Sequence, residues 1–177
     1  AAPRWRPANG RPLLVIAGTQ HAATADQIAR AAEAGVPVVR PDQRHLDDEH
    51  CELADLAARV ERELAAGRHA IVTTAGLRPS RLGPFAVAER LARLVDSAPV
   101  RSLVGGLMLT GGDVAAAACA KLGAEAIWLR GEVRPAIPWG TLAGGALPGL
   151  PVVTKAGSFG GPDTLLACLD HLATARV

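Results

Sequence analysis

The sequence is poor in lysine, sulfur and aromatic residues. Only Lys121 and Lys155 stand among its 19 basic residues, and tyrosine is absent. Cys51, Cys119 and Cys168 lie far apart, with no CxxC pair. That spacing argues against a disulfide framework or a zinc site and for a reducing, cytoplasmic compartment. No apolar run reaches the roughly 18 residues a membrane span needs, and no signal-peptide pattern opens the chain. A formal charge of +2 is too small to call for nucleic acid or an anionic membrane as a partner. The bias toward Ala, Arg and Gly means that a single Arg carries little functional information, whereas each Lys stands out.

The 177 residues, 49% hydrophobic and 20% charged, suit one globular domain with a sizeable core. The opening AAPRWRPANGRP has neither helical nor strand period. Residues 1–11 therefore read as a linker, and the chain as a domain cut from a longer protein. From residue 12 onward, apolar runs alternate with helical patterns. Strands are predicted at 12–18, 36–40, 69–75, 107–110, 124–131 and 151–157. Helices are predicted at 22–34, near 84–96, at 112–122 and at 162–174. One more carries Leu53, Leu56, Val60 and Leu64 on one face, with Asp47 and Asp48 as its caps. The stretch 133–149 reads as an irregular connection. This alternation predicts an α/β fold: a three-layer, Rossmann-like, mostly parallel sheet with helices on both faces.

Ligands of such sheets sit beyond the carboxyl ends of the strands, where this sequence concentrates its chemistry. TGGD (110–113) lies between a strand and a helix start. Unpaired N–H groups and the helix dipole favour an anion there, and Gly111 and Gly112 leave room for it. Asp113 could hold Mg²⁺, assist proton removal from a hydroxyl, or simply cap the helix; a tight turn with an ordinary cap is the alternative. TKAGSFGG (154–161) is a second glycine-rich strand end. Lys155 could neutralise a phosphate as a point charge, with Ser158 donating to the same group. The alternative is a solvated Lys before a turn, with Phe159 plugging the core. Thr19 and His21 stand at the first strand end, and Glu132 follows the fifth strand. HLDDEHCE (45–52) reads as a charged, solvated helix start rather than a metal cluster. Trp128 reads as packing; Trp5 and Trp139 fall in irregular segments. No GxGxxG follows the first strand, which argues against a nicotinamide-binding Rossmann domain.

In order, GTxxxxTxxQ, LTGGD, GEVxPxIP and GLPVVTKAGSFG resemble the nucleotide-binding C-terminal domain of the four-carbon acid sugar kinases. These enzymes phosphorylate threonate, erythronate or 3-oxo-tetronate with ATP. The resemblance runs from about Pro12 to about Leu172. It implies that residues 12–177 form a nucleotide-binding domain whose acid-binding N-terminal domain is missing, so that the isolated chain would not turn over. It implies phosphate contacts from Gly111, Gly112 and the N–H of Val114. Lys155, Gly157, Ser158, Phe159 and Gly160 would line the other side, and Thr19 and His21 would face the same nucleotide. Asp113 would hold Mg²⁺ or assist the hydroxyl, and Glu132 would support the metal. A homodimer is among the assemblies open to it. Three positions depart from the family pattern: His21 and Val114, where hydroxyl residues are usual, and Ala136, where Gly is frequent. The rival reading is a non-catalytic module that keeps the fold and binds a protein or another anion.

Overall fold

A computed structural model describes residues 10–175 of the chain. Most of the linker-like segment, with Trp5, lies outside the described residues.

Seven strands form one sheet: β1 (Leu13–Ala17), β2 (Val38–Val39), β3 (Ala70–Thr73), β4 (Gly106–Thr110), β5 (Ala126–Arg134), β6 (Ile137–Ala143) and β7 (Pro151–Lys155). Their spatial order is β2-β3-β1-β4-β7-β6-β5. Strands β1, β2, β3, β4 and β7 run parallel, and β6 runs antiparallel to both of its neighbours. The predicted α/β architecture is therefore present, with one reversed strand inside it.

Strands β1, β3 and β4 are buried along their whole length, as their unbroken apolar runs require of a sheet covered on both faces. Their side chains alternate between two cores. One holds Leu14, Ile16, Val72, Leu107 and Leu109 against α3 (Ala54–Ala65), α4 (Gly83–Asp96), α5 (Ala98–Leu103) and α6 (Gly112–Leu122). The other holds Leu13, Val15, Ile71, Met108 and Val153 against α1 (Ala22–Glu33) and α7 (Thr164–Thr174). Full burial of a Leu or Ile contributes about 1.5–3 kcal/mol, so these two layers supply most of the drive to fold. None of the described helices is long and apolar enough to cross a membrane.

Several sequence expectations change. The irregular stretch 133–149 contains β6. Its Pro138 lies beyond the β6–β7 ladder, which runs over Trp139, Gly140 and Thr141, so the missing N–H costs no bond on that side. Gly140 is required because a Cβ there would strike the Trp128 carbonyl. Trp128 is not core packing: it is 67% exposed on the outer strand β5. Trp139 lies within β6, its ring edge-on to His171 at 4.6 Å.

Asp47 and Asp48 do not cap the helix that carries Leu56. They end a separate short helix, α2 (Gln43–Asp47), whose cap is Asp42. His45, expected in a solvated turn, is buried. Its Nδ1 accepts from the Asp42 N–H at 3.0 Å, and its Nε2 lies 2.9 Å from Asp55 Oδ1. Asp42, His45 and Asp55 thus lie close together, but both imidazole nitrogens already serve the α2–α3 corner. Arg90 closes the same corner by donating to the carbonyls of His45, Glu49 and Cys51.

Candidate functional site

The carboxyl ends of β1, β4 and β7 meet at the middle of one sheet edge. After β1 the chain turns to α1 in one core, and after β4 it turns to α6 in the opposite core. The β1–β4 boundary is therefore the topological switch point, where an open α/β sheet leaves a crevice.

The two helix starts facing this crevice differ. The first turn of α1 is capped: the Ala23 N–H reaches His21 Nδ1 at 3.3 Å, and the His21 N–H reaches Thr19 Oγ1 at 3.2 Å. The first turn of α6 has no side-chain cap. Its helical bonding starts with the Ala115 N–H to the Gly111 carbonyl at 3.0 Å. The N–H groups of Gly112, Asp113 and Val114 are thus left without a helical acceptor. Gly111 has φ +104°, a value that disfavours any side chain, and its own N–H bonds the Lys155 carbonyl at 2.9 Å. A Cβ added at Gly111 or Gly112 would meet nothing within 4 Å. The space these glycines leave opens into a cavity of about 290 Å³, bounded also by Ala115, Ala136 and Pro138 and, at the end of β7, by Thr154, Lys155 and Ala156.

The Val114 side chain points away from this space. It is buried, and a Cβ on Gly18 would lie 2.5 Å from its Cγ2. A hydroxyl residue at 114 in this orientation would face the core too, so the departure from the family pattern leaves the backbone donors in place. Asp113 is exposed in the first turn of α6.

The loop after β7 is tied down from within. Lys155 is only 3% exposed. Its ammonium donates to the carbonyls of Ala156 at 2.9 Å, Phe159 at 3.2 Å and Gly157 at 3.5 Å, and to Thr24 Oγ1 at 3.3 Å. Burial pushes its pKa below the ordinary lysine value. The sequence suggested a point charge turned toward a phosphate; here the ammonium is committed to its own loop. From α1, Thr24 donates to the Gly157 carbonyl at 2.7 Å, and Gln27 to those of Phe159 and Gly160 at 3.0 and 3.1 Å. In the sequence Thr24 and Gln27 stand out as polar residues around the first helix start, with Thr24 read as a cap; their task is instead to hold this loop from the neighbouring helix α1. Ser158 is exposed, and Phe159 is 44% exposed rather than a core plug.

Glu132 does not join the crevice through its carboxylate. Its Oε1 accepts the Ala136 N–H at 3.1 Å and closes the β5–β6 hairpin, of which Ala136 also borders the cavity. Thr19 and Gly157 lie against each other at the ends of β1 and β7, where a Cβ on Gly157 would be 2.5 Å from Thr19 Oγ1.

A family model described as "Nucleotide-binding C-terminal domain" (NBD_C) matches residues 14–165. A D-threonate kinase from Bordetella bronchiseptica is 36% identical over 93% of this chain and 41% of its own length. One from Salmonella typhimurium is 35% identical over 91% of this chain and 42% of its own length. A crystal structure of a DUF1537 protein from Bordetella bronchiseptica, a domain-swapped dimer with bound citrate, superposes with a TM-score of 0.81 at 35% identity, covering 94% of this chain and 42% of that one. The chain thus spans about two-fifths of the length of these relatives.

Proposed function

Because this chain belongs to the family of nucleotide-binding C-terminal domains, we propose that it is the ATP-binding part of a kinase for a four-carbon sugar acid. The observation that carries the reading is the α6 start: two glycines open to a cavity, before a helix turn with three unclaimed N–H donors. Such a turn favours phosphate through both hydrogen bonds and the helix dipole.

The Gly112, Asp113 and Val114 N–H groups would hold phosphate oxygens, with Gly111 setting the backbone angle that aims them. His21 adds a donor. Its Nδ1 accepts from the Ala23 N–H, so the neutral ring carries its proton on Nε2. Lys155, Gly157 and Gly160 build the loop that forms the opposite wall, and exposed Ser158 and Phe159 are its contact side chains. Asp113 fits Mg²⁺ as the single carboxylate of a site otherwise completed by phosphate and water. Such an ion, when bound, offsets phosphate charge during transfer. The Asp113 carboxylate would also take the proton of an attacking hydroxyl. Glu132 supports this region by fixing the hairpin at Ala136. The acid itself would be held by a further domain.

Calorimetric titration with ATP and Mg²⁺ tests the reading. Saturable binding is expected, with at least a tenfold loss in Gly112→Val, whose side chain fills the open space. No heat up to millimolar nucleotide would favour the non-catalytic module instead.

A further inference from the structure

The helices are shared unevenly between the two faces of the sheet. Helices α3, α4, α5 and α6 pack on one face, and α1 and α7 on the other. On that second face β5, the outermost strand, extends past α7. Trp128 lies on this face: it stands opposite Thr141, two residues along β6 from Trp139, which packs in the α7 core. An indole left 67% exposed forgoes much of the largest apolar burial a side chain can make. Further along β5, a groove of about 550 Å³ separates the strand from α7, with Val133 and Arg134 on one wall and Ala167, Asp170, His171 and Thr174 on the other. Its two walls carry opposite charges that are unused. Among the described residues neither Arg134 nor Asp170 has an ion-pair partner. Burial pushes the Asp170 carboxyl above the ordinary aspartate value, as expected of a carboxylate short of a cation.

We propose that this face is an interface between two copies of the chain, in which α7 of each copy fills the groove over β5 of the other. A ridge beside a groove on one face is self-complementary: turning a second copy about a two-fold axis sets ridge into groove twice. The same rotation brings Arg134 to the partner's Asp170 and Asp170 to the partner's Arg134, and it covers both copies of Trp128. A foreign partner of one charge would satisfy one wall and be repelled by the other; a second copy satisfies both. The open edge of β5 is a poorer contact than its face. Two register shifts interrupt the strand, and Arg130, Glu132 and Arg134 line it, features that guard an edge against further strand pairing. The α6 start belongs to the opposite face, so the inference is independent of the nucleotide reading.

Sedimentation equilibrium of this chain, from micromolar to submillimolar concentration, should show a reversible monomer–dimer equilibrium. Trp128→Glu should raise the dissociation constant about a hundredfold, because the lost anchor occurs twice. Leu129→Glu is the control: Leu129 is exposed on the opposite face of the same strand, and this variant should dimerise like wild type. Arg134→Glu and Asp170→Arg should each weaken the dimer about tenfold, through like charges placed together. An equimolar mixture of those two variants should regain most of the loss, since each supplies the charge the other lacks. Pairing of Arg134 with Asp170 inside one chain gives no rescue by mixing. A wild-type chain that stays monomeric throughout would overturn the proposal. So would a dimer that survives Trp128→Glu, one that Leu129→Glu breaks equally, or a mixture no tighter than its components.

Discussion

At the end of β4, a Cβ on Gly111 or Gly112 would meet open space; at the end of β7, one on Gly157 would press to 2.5 Å from Thr19 Oγ1, and one on Gly160 would collide with Thr164. The first loop leaves backbone donors unclaimed. In the second, Lys155, Thr24 and Gln27 claim the carbonyls. Glycine therefore does two jobs on one sheet edge: at β4 it makes room for something absent from the chain, and at β7 it lets the chain pack on itself. The open loop owes its shape to the closed one, since the Gly111 N–H is anchored on the Lys155 carbonyl.

The largest expected break of this contrast is Lys155→Met. Removing the ammonium takes a charged donor from the carbonyls of Ala156, Gly157 and Phe159 and from Thr24 Oγ1, at a cost of about 4 kcal/mol. A thermal melt should show Tm falling by roughly 10 °C. Hydrogen exchange should show residues 156–160 losing protection before β4 does. An unchanged melt would mean that the loop does not depend on its cation.

Acid provides a control that strikes both loops alike. His69 lies at the opposite end of the sheet, buried, with Nδ1 accepting the Leu13 N–H at 2.9 Å. Burial pushes its pKa down from 6.5 to about 4. The unfolded chain therefore binds the extra proton between those values, and stability falls as pH drops through that window. The loss reaches about 3 kcal/mol by pH 4. Denaturant melts at pH 7 and pH 4 should show it, with a smaller pH effect in His69→Gln. The two loops should fail together, unlike in Lys155→Met.

How much of this contrast could be read in advance follows from what each feature depends on. The β1 and β4 strands were plain because a doubly buried strand writes itself as a continuous apolar run. β6 was hidden because its Pro138 and Gly140 answer to neighbours, a ladder end and the Trp128 carbonyl, that only the folded sheet supplies. The strand-end motifs were visible as residues of the right kind, and the sheet edge gathers them. The direction of Lys155 was not visible. Its carbonyl partners lie within its own loop, but Thr24 is 131 residues away, and strand alternation turns the side chain toward α1.

Paired alanine substitutions sharpen the comparison at intermediate cost. Gly157→Ala should lose about 2 kcal/mol from overpacking against Thr19. Gly112→Ala, inside a helix and in open space, should leave stability within about 0.5 kcal/mol of wild type, or raise it. Its effect should appear instead as weaker pyrophosphate binding. Equal destabilisation by both substitutions would erase the distinction between the two loops.

The smallest expected effect lies at the far wall of the open cavity. Ala136 is the only non-glycine residue with positive φ, +61°, among those described. A left-handed conformation costs an alanine roughly 1–2 kcal/mol relative to its preferred geometry, and glycine avoids that cost. Glu132 holds the turn in place through the Ala136 N–H, so the strain is sustained by a specific contact. Ala136→Gly should therefore raise stability by about 1 kcal/mol, less what glycine loses by its freer unfolded chain. Glu132→Gln, which keeps an acceptor oxygen for that N–H, should leave the turn intact. Glu132→Ala should lose stability, and adding Ala136→Gly should restore part of the loss, because the strain that Glu132 offsets is then gone. A double-mutant cycle by denaturant melts measures this coupling; simple additivity would mean that Glu132 and the turn at Ala136 act independently.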